Sequence, residues 1–474
     1  MNLDNAYDMP AAGSPADGSG EPGAAVAVKP GAGMDHTAFL NDLQGNVLRV
    51  HARPHAQHIM FSFRPGRSWD VRIWIAGLAA RGITTAWREE SNGRTGPFRS
   101  ILLSASGYQR LGLAAVMPDD PAFRAGMKER GSLLADPSVA DWHAGYRRRL
   151  DALLIAADDD AVALSRDVAR LKEEAWAHGL IVEAEERGGR LTRDGHIIEH
   201  FGYIDGITRP SWAPYTHGDG LSPRMLARPG ALLREESGAA GHFGSFLVFR
   251  KLEQNVQEWE RNVVALASAL EVDPELAGAL AVGRFRDGTP VVEYEQMQGV
   301  APPRDDFSYE GDPSGSRCPF HAHVRRTNPR SESRDPDERP GSAASPDVIP
   351  QDMPSIARCG MTYGIRPDLH PGGSGFARPR QGVGLLFMCF QNTIERQFER
   401  IQRAANGLAD PGSPHMSGCD PVIGQGACAA LSWPVQWGGG ERREFQFSQV
   451  VTLRGGEYFF APSITFLKNM RRQG

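Results

Sequence analysis

The stretch ALLIAADDDAVALSRDVARLKEEAWAHGLIVEAE (Ala152–Glu185) decides the fold class. Ala152–Ala157 is a compact apolar run, read as a buried strand. Asp158–Asp160 then precede a long helix with Leu164, Val168, Leu171 and Ala175 on one stripe. Gly179 ends it, and Leu180–Glu185 reads as the next strand. Working outward, His58–Arg64 alternates, with Ile59, Phe61 and Phe63 on one face. Ser68 caps a helix striped by Val71, Trp74, Ile75 and Leu78 and closed by Gly82. Strands are expected near Ile83–Arg88 and Arg99–Ser104. The order is that of a βαββαβ, ferredoxin-like sheet.

The second half repeats the theme. Phe246–Arg250 reads as a strand, and the helix after it carries Val256, Trp259, Val263 and Leu266. Leu385–Phe390 is another strand, before a helix with Ile394, Phe398 and Ile401. Phe445–Leu453 and Tyr458–Phe460 are read as closing strands, and Gly283–Val292 as a turn-rich loop. The expectation is an α+β protein of two ferredoxin-like domains, each an antiparallel sheet flanked by helices, spanning 37–215 and 216–474. Residues 1–36 are rich in Gly, Ala, Pro and Asp and are expected to be a disordered tail, with order beginning near Leu40. The polar, Pro-rich segment 331–353 is expected to be a mobile excursion.

Bulk properties narrow the function. A chain of 474 residues is long for one domain, and 41% hydrophobic residues suffice for real cores. A formal charge of −5 offers no basic surplus for nucleic acid. No run of about 18 apolar residues suggests a membrane span, and no export signal is seen, so a cytoplasmic location is expected, with encapsulation in a protein shell left open. Five cysteines, all between Cys318 and Cys428, make no disulfide framework and fit a reducing compartment. No Cys-x-x-Cys-His occurs for covalent haem attachment, and neither Cys318 nor Cys359 has zinc-like spacing.

Two segments carry chemistry. GYIDG (Gly202–Gly206) sets Asp205 among glycines, as a close backbone approach to a flat ligand or a turn of positive φ would require. Asp205 could move protons to and from peroxide, or could simply be an Asp-Gly turn. CPFHAHVRRTNPR (Cys318–Arg330) offers His321 and His323 and then three arginines. Either imidazole could bind iron, or be satisfied by a carbonyl; on a strand the two share a face, on a helix they diverge. Arg358 could stabilise charge as an O–O bond breaks, and Arg330 could pair with a haem propionate. For both, a salt bridge is the plainer reading. Asp420 could accept the second imidazole proton or shape a loop. Leu385–Phe390 is core strand whose other face could line a cavity.

Jointly, EHFGYIDGITRP (Glu199–Pro210), GSFLVFRKLEQNV (Gly244–Val256), CPFHAHVRRTNPR, RCGMTYG (Arg358–Gly364), GLLFMCFQ (Gly384–Gln391), DPVIGQ (Asp420–Gln425) and GGEYFFAPS (Gly455–Ser463) resemble the dye-decolorizing peroxidase family, in its longer-chain subgroup. The resemblance implies one haem b per chain, held mainly by the second domain. It implies reduction of hydrogen peroxide and oxidation of dyes, phenolic or other aromatic donors through an oxyferryl intermediate. By motif position His323, not His321, is the proximal iron ligand and Asp420 its partner. Asp205 and Arg358 are the distal acid–base and arginine, Leu385 and Phe387 line the distal side, and Arg330 meets a propionate. Tyr363 matches a tyrosine of surface radical chemistry in some relatives. The motif around Arg358 departs from relatives that carry a second arginine and a proline. A homo-oligomer is left open. The rivals are a non-catalytic haem-binding or iron-release protein and a haem-free hydrolase.

Overall fold

The computed structural model describes residues 35–91, 93, 95–207, 230–299, 305–328, 355–369, 377–408 and 418–472, with the backbone of 211–212, 226–227 and 229. The excursion 331–353, the boundary at 215/216 and Arg330 lie outside the described residues. So does the tail except for its end, where the Asp35 side chain caps a helix His36–Asp42 through Thr37 N.

The first half is built from β1 (His55–Phe63), α1 (Ser68–Arg81), β2 (Phe98–Leu103), β3 (Ala152–Asp158), α2 (Ala161–Ala177) and β4 (Leu180–Gly189). The α2 stripe Leu164, Val168, Leu171 and Ala175 is buried, and Asp160 caps Val162 N and Ala163 N. Gly179 sits at φ +92°, where a Cβ would also lie 2.7 Å from Arg67 Cβ, so glycine is required there. Ser68 proves to be the first helical residue of α1 and not its cap.

One expected strand is absent. Near Ile83–Arg88 only Thr85 pairs, with Gln44, and Ala86–Ser91 is helical. The β-branched Ile83–Thr85 favours extended backbone, but Ala-Trp-Arg-Glu-Glu favours helix, and Thr85 caps it by accepting Arg88 N at 3.1 Å. Removing that strand leaves two strands between the helices, as βαββαβ demands.

The second half runs β5 (Phe243–Gln254), α3 (Val256–Leu270), α4 (Pro274–Val282), α5 (His323–Thr327), β6 (Ala357–Arg358), β7 (Met361–Tyr363), β8 (Gly384–Gln391), a π-helical turn Ile394–Glu399 continued by α6 (Arg400–Ala405), and β9 (Val451–Ala461). The strand expected over Phe445–Leu453 is broken. Arg442–Phe445 belongs to a separate hairpin, and the intervening backbone bonds to α3 and its cap instead. Asn262 bridges Ser448 N and O, and Asn255 N donates to Val450 O.

The two sheets do not stay apart. Strands follow one another antiparallel as β4–β1–β3–β2 and as β9–β5–β8–β7. Single pairings Phe460↔Leu103 and Thr362↔Gly189 then join their edges, closing a ring. Closure removes the unpaired edges that an open sheet exposes. Phe61, Leu154, Leu103, Phe246 and Phe460 belong to one continuous core drawn from both halves. A second core, around Trp259, Leu280 and Trp433, lies under α3 and α4.

Two further features were not expected. Cys419 and Cys428 form a disulfide, so the cysteines do not all stay reduced; Cys318, Cys359 and Cys389 are buried thiols. Among the described residues no helix is long and apolar enough to cross a membrane.

Near the C-terminus, Glu236 accepts Ser463 N at 2.6 Å and Ser463 Oγ at 2.8 Å, while Ser463 caps the helix Ile464–Lys468. Burial first, and the Asp42 charge less, push the Glu236 carboxyl up to about 7 from 4.5. A folded pKa raised for an acid means that the folded state holds the proton more tightly. Its contribution is full below about 4.5 and is lost as pH rises through about 7. The melting temperature of wild type relative to Glu236→Gln should therefore fall across that window. A constant difference would contradict the assignment.

Candidate active site

His323 is delivered by a turn that Asp312 organises. The Asp312 carboxylate accepts Ser316 N (2.8 Å), Arg317 N (3.0 Å) and Cys318 N (2.9 Å) and pairs with the buried Arg325 guanidinium at 2.8 Å. Arg326 donates from Nε to Ala404 O at 2.7 Å. These two arginines thus hold α5 in place and are not spread over an open site. Sequence reading missed Asp312; its signal is the Asp-Pro-Ser-Gly-Ser turn six residues before Cys318.

The chain direction separates the two histidines. His321 lies before the helix, buried edge-on to Trp433 at 4.4 Å, and burial lowers its pKa to about 3. His323 opens α5 with a side chain 25% exposed. Its Nδ1 is 2.7 Å from Asp420 Oδ2. The Asp420 carboxylate is fully buried, and its other oxygen accepts Val422 N at 2.7 Å and Ile423 N at 3.1 Å. A carboxylate so held accepts a hydrogen bond from Nδ1–H, which leaves the lone pair on Nε2. Nε2 has no hydrogen-bond partner among the described residues.

Asp205 is carried by a hairpin. Asp205 N donates to Ile197 O, Ile198 bridges Ile204, and Glu199 N donates to Tyr203 O. Gly202 and Gly206 have φ of +94° and +77°, so the glycines serve a turn. Asp205 Oδ1 accepts Gly206 N at 2.6 Å, the plain Asp-Gly turn contact, and also lies 3.3 Å from Arg358 Nη1. Both side chains keep partial exposure, 27% for Asp205 and 38% for Arg358.

Arg358 pairs with Cys389, and residues paired across strands project to one face. Leu385 and Phe387, four and two residues before Cys389, share that face and are half-buried, while Leu386 and Met388 enter the barrel core. Tyr363 pairs with Gly384 and so projects to the opposite face. It is 8% exposed, under the Lys251 ammonium at 4.9 Å, and burial raises its pKa. The expectation of a surface tyrosine is therefore corrected: Tyr363 is mostly buried, on the face of its strand that turns into the barrel.

The two pairs, His323–Asp420 and Asp205–Arg358, lean on shared supports. The Tyr203 hydroxyl fills the space where a Cβ on Gly278 of α4 would stand, 2.3 Å away, and Ile204 N donates to Arg286 O. At the end of α4, Gly283 packs on Val324 of α5. Asp420 N bonds Ala405 O of α6, and Phe398, in the preceding π-helical turn, meets Phe387 at 6.0 Å. A groove of about 460 Å³ along α3, lined by residues such as Glu260, Val264 and Arg378, contains none of these side chains.

A scan against protein-family models finds no match. The chain is 37% identical over 463 residues to the multifunctional dye peroxidase DyP2 of an Amycolatopsis species, covering 91% of this chain and 96% of that one. It is 31% identical over 455 residues to the dye-decolorizing peroxidase AauDyP1 of Auricularia auricula-judae, covering 90% and 85%. The solved DyP-type peroxidase of an Anabaena species superposes with a TM-score of 0.79 at 35% identity, over 91% of this chain and 94% of that one. The chain belongs to the dye-decolorizing peroxidase family and is a peroxidase.

Membership implies a haem. Among the described residues no group of three or more His, Cys, Asp or Glu could hold a bare metal ion. What is present fits a porphyrin, which brings its own four nitrogens and needs one axial imidazole. His323 offers that donor with its tautomer set by Asp420.

Proposed function

We propose that this chain carries one haem b on His323 and uses Asp205 and Arg358 to cleave hydrogen peroxide, oxidising dyes, phenolic and other aromatic donors. The observation that favours this over passive haem storage is the Asp205–Arg358 contact, an acid and a fixed cation both left partly open. When bound, a haem would supply the redox chemistry, two-electron towards peroxide and one-electron towards the donors. Asp205 accepts the peroxide proton and returns it to the departing oxygen. Arg358 donates N–H bonds to the oxygen on which negative charge builds. Leu385 and Phe387 keep water from that face. Arg330 is assigned to a propionate by motif position alone. Tyr363, mostly buried, offers a bulky dye little surface, so a role for it in electron transfer would run through the barrel interior.

Asp420→Asn removes the charge behind the imidazole. Haem retention should weaken roughly 10–100-fold, read as transfer of haem to an acceptor apoprotein, and the iron potential should rise. Unchanged transfer and potential would deny Asp420 its role. The function itself is tested by peroxide-dependent bleaching of an anthraquinone dye by the haem-loaded protein. Haem binding without bleaching would leave only the storage reading.

A further inference from the structure

Glu199 stands on the same hairpin as Asp205, and the mechanism above does not use it. Its pair with Tyr203 and the Ile197–Asp205 pair flank the Ile198–Ile204 bridge, so Glu199 and Asp205 project to one face. Both carboxylate oxygens of Glu199 are occupied by the turn. Oε2 accepts Phe201 N at 2.8 Å and Oε1 accepts Tyr203 N at 3.0 Å, while Gly202 N donates to the Glu199 carbonyl. The carboxylate is also tied to the barrel. Gln254, at the end of β5, donates from Nε2 to Glu199 Oε2 at 2.6 Å, and Gln254 N is fixed on Val383 O.

The Gln254 side chain supplies a second sign of purpose. Its Oε1 is buried with no hydrogen-bond partner among the described residues, so the amide is turned toward Glu199 at a desolvation penalty. An acceptor-only carboxylate offsets that penalty; an apolar residue at 199 would not.

We propose that Glu199 is the positioning residue of the acid: anchored by Gln254, its carboxylate sets the Phe201–Tyr203 turn that presents Asp205 to Arg358. Burial raises the Glu199 pKa, and the Asp205 charge adds to the rise, so the two carboxyls feel each other. The inference rests on the acid–base reading of Asp205.

A double-mutant cycle tests it on haem-loaded protein, with the rate constant for reaction with hydrogen peroxide as the readout. Glu199→Ala should slow that reaction roughly 10–100-fold, the scale of a misplaced catalytic group. Haem content and the kcat/KM for a dye donor should change less than about twofold. In the Asp205→Asn background the same substitution should cost less than about twofold, because the effects of residues that act through one another are not additive. Should Glu199→Ala fail to fold, Glu199→Gln keeps one acceptor oxygen; it should give a smaller loss, again confined to the Asp205 background. Equal losses in both backgrounds, no loss in either, or an Asp205→Asn protein as fast as wild type would overturn the proposal. A wild-type holoprotein inert to peroxide would instead sink the proposed function.

Discussion

Replacing His323 with alanine should give protein that purifies without the haem absorption of wild type. Peroxidase activity should fall by more than the roughly 10²–10³ that a single oxyanion donor is worth. The reason lies in the donor count. His321 is buried against Trp433. His323 is the histidine of this motif that sits at a partly open position with its second nitrogen held by a buried carboxylate. The fold should survive, because His323 contributes one partly exposed side chain to a five-residue helix that Asp312 and Arg325 hold independently. A His323→Ala protein that keeps both colour and turnover would remove the ligand assignment.

Arg358→Ala should leave haem bound and slow the reaction with peroxide about 10²–10³-fold. Little stability should be lost with it. The Arg358–Asp205 pair is more than a quarter exposed on each side, and such pairs contribute about 0–1 kcal/mol. A slow enzyme with wild-type melting and wild-type haem content is therefore the signature of a lost transition-state contact rather than of a damaged fold. Stopped-flow absorption with hydrogen peroxide reads the rate directly. A rate within about twofold of wild type would refute the role.

The legible parts of this molecule are those that local chemistry writes. Ala152–Glu185 shows its strand, cap, helix and strand because each has a period or a terminating residue of its own. The Val256–Leu266 stripe is buried as its spacing demands. What local chemistry cannot write is the closure of the barrel. It depends on two single pairings, Phe460↔Leu103 and Thr362↔Gly189, between segments far apart in the sequence. The same holds for the Cys419–Cys428 disulfide, since proximity in space is not spelled by an odd cysteine count. The strand expected at Ile83–Arg88 failed where two propensities meet at Thr85, and tertiary context chose the cap.

The site divides in the same way. GYIDG and the motif from Cys318 mark Asp205 and His323 as residue types, and the plain readings of both are partly true, since Asp205 does make its Asp-Gly turn contact. Which residues meet could not be read locally. Arg358 reaches Asp205 across 153 positions, and Asp420 reaches His323 across 97. The face that Tyr363 presents is not legible locally, because its strand is only three residues long and pairing with Gly384 decides it.

The most direct measurement is the absorption spectrum of the purified, haem-loaded protein before and after one equivalent of hydrogen peroxide, taken alongside His323→Ala. A histidine-ligated ferric haem spectrum is expected, shifting fully with that single equivalent and returning when a dye donor is added, with none of it seen in the variant. A wild-type spectrum that peroxide leaves unmoved, or a variant that matches it, would deny His323 and the peroxide site their roles.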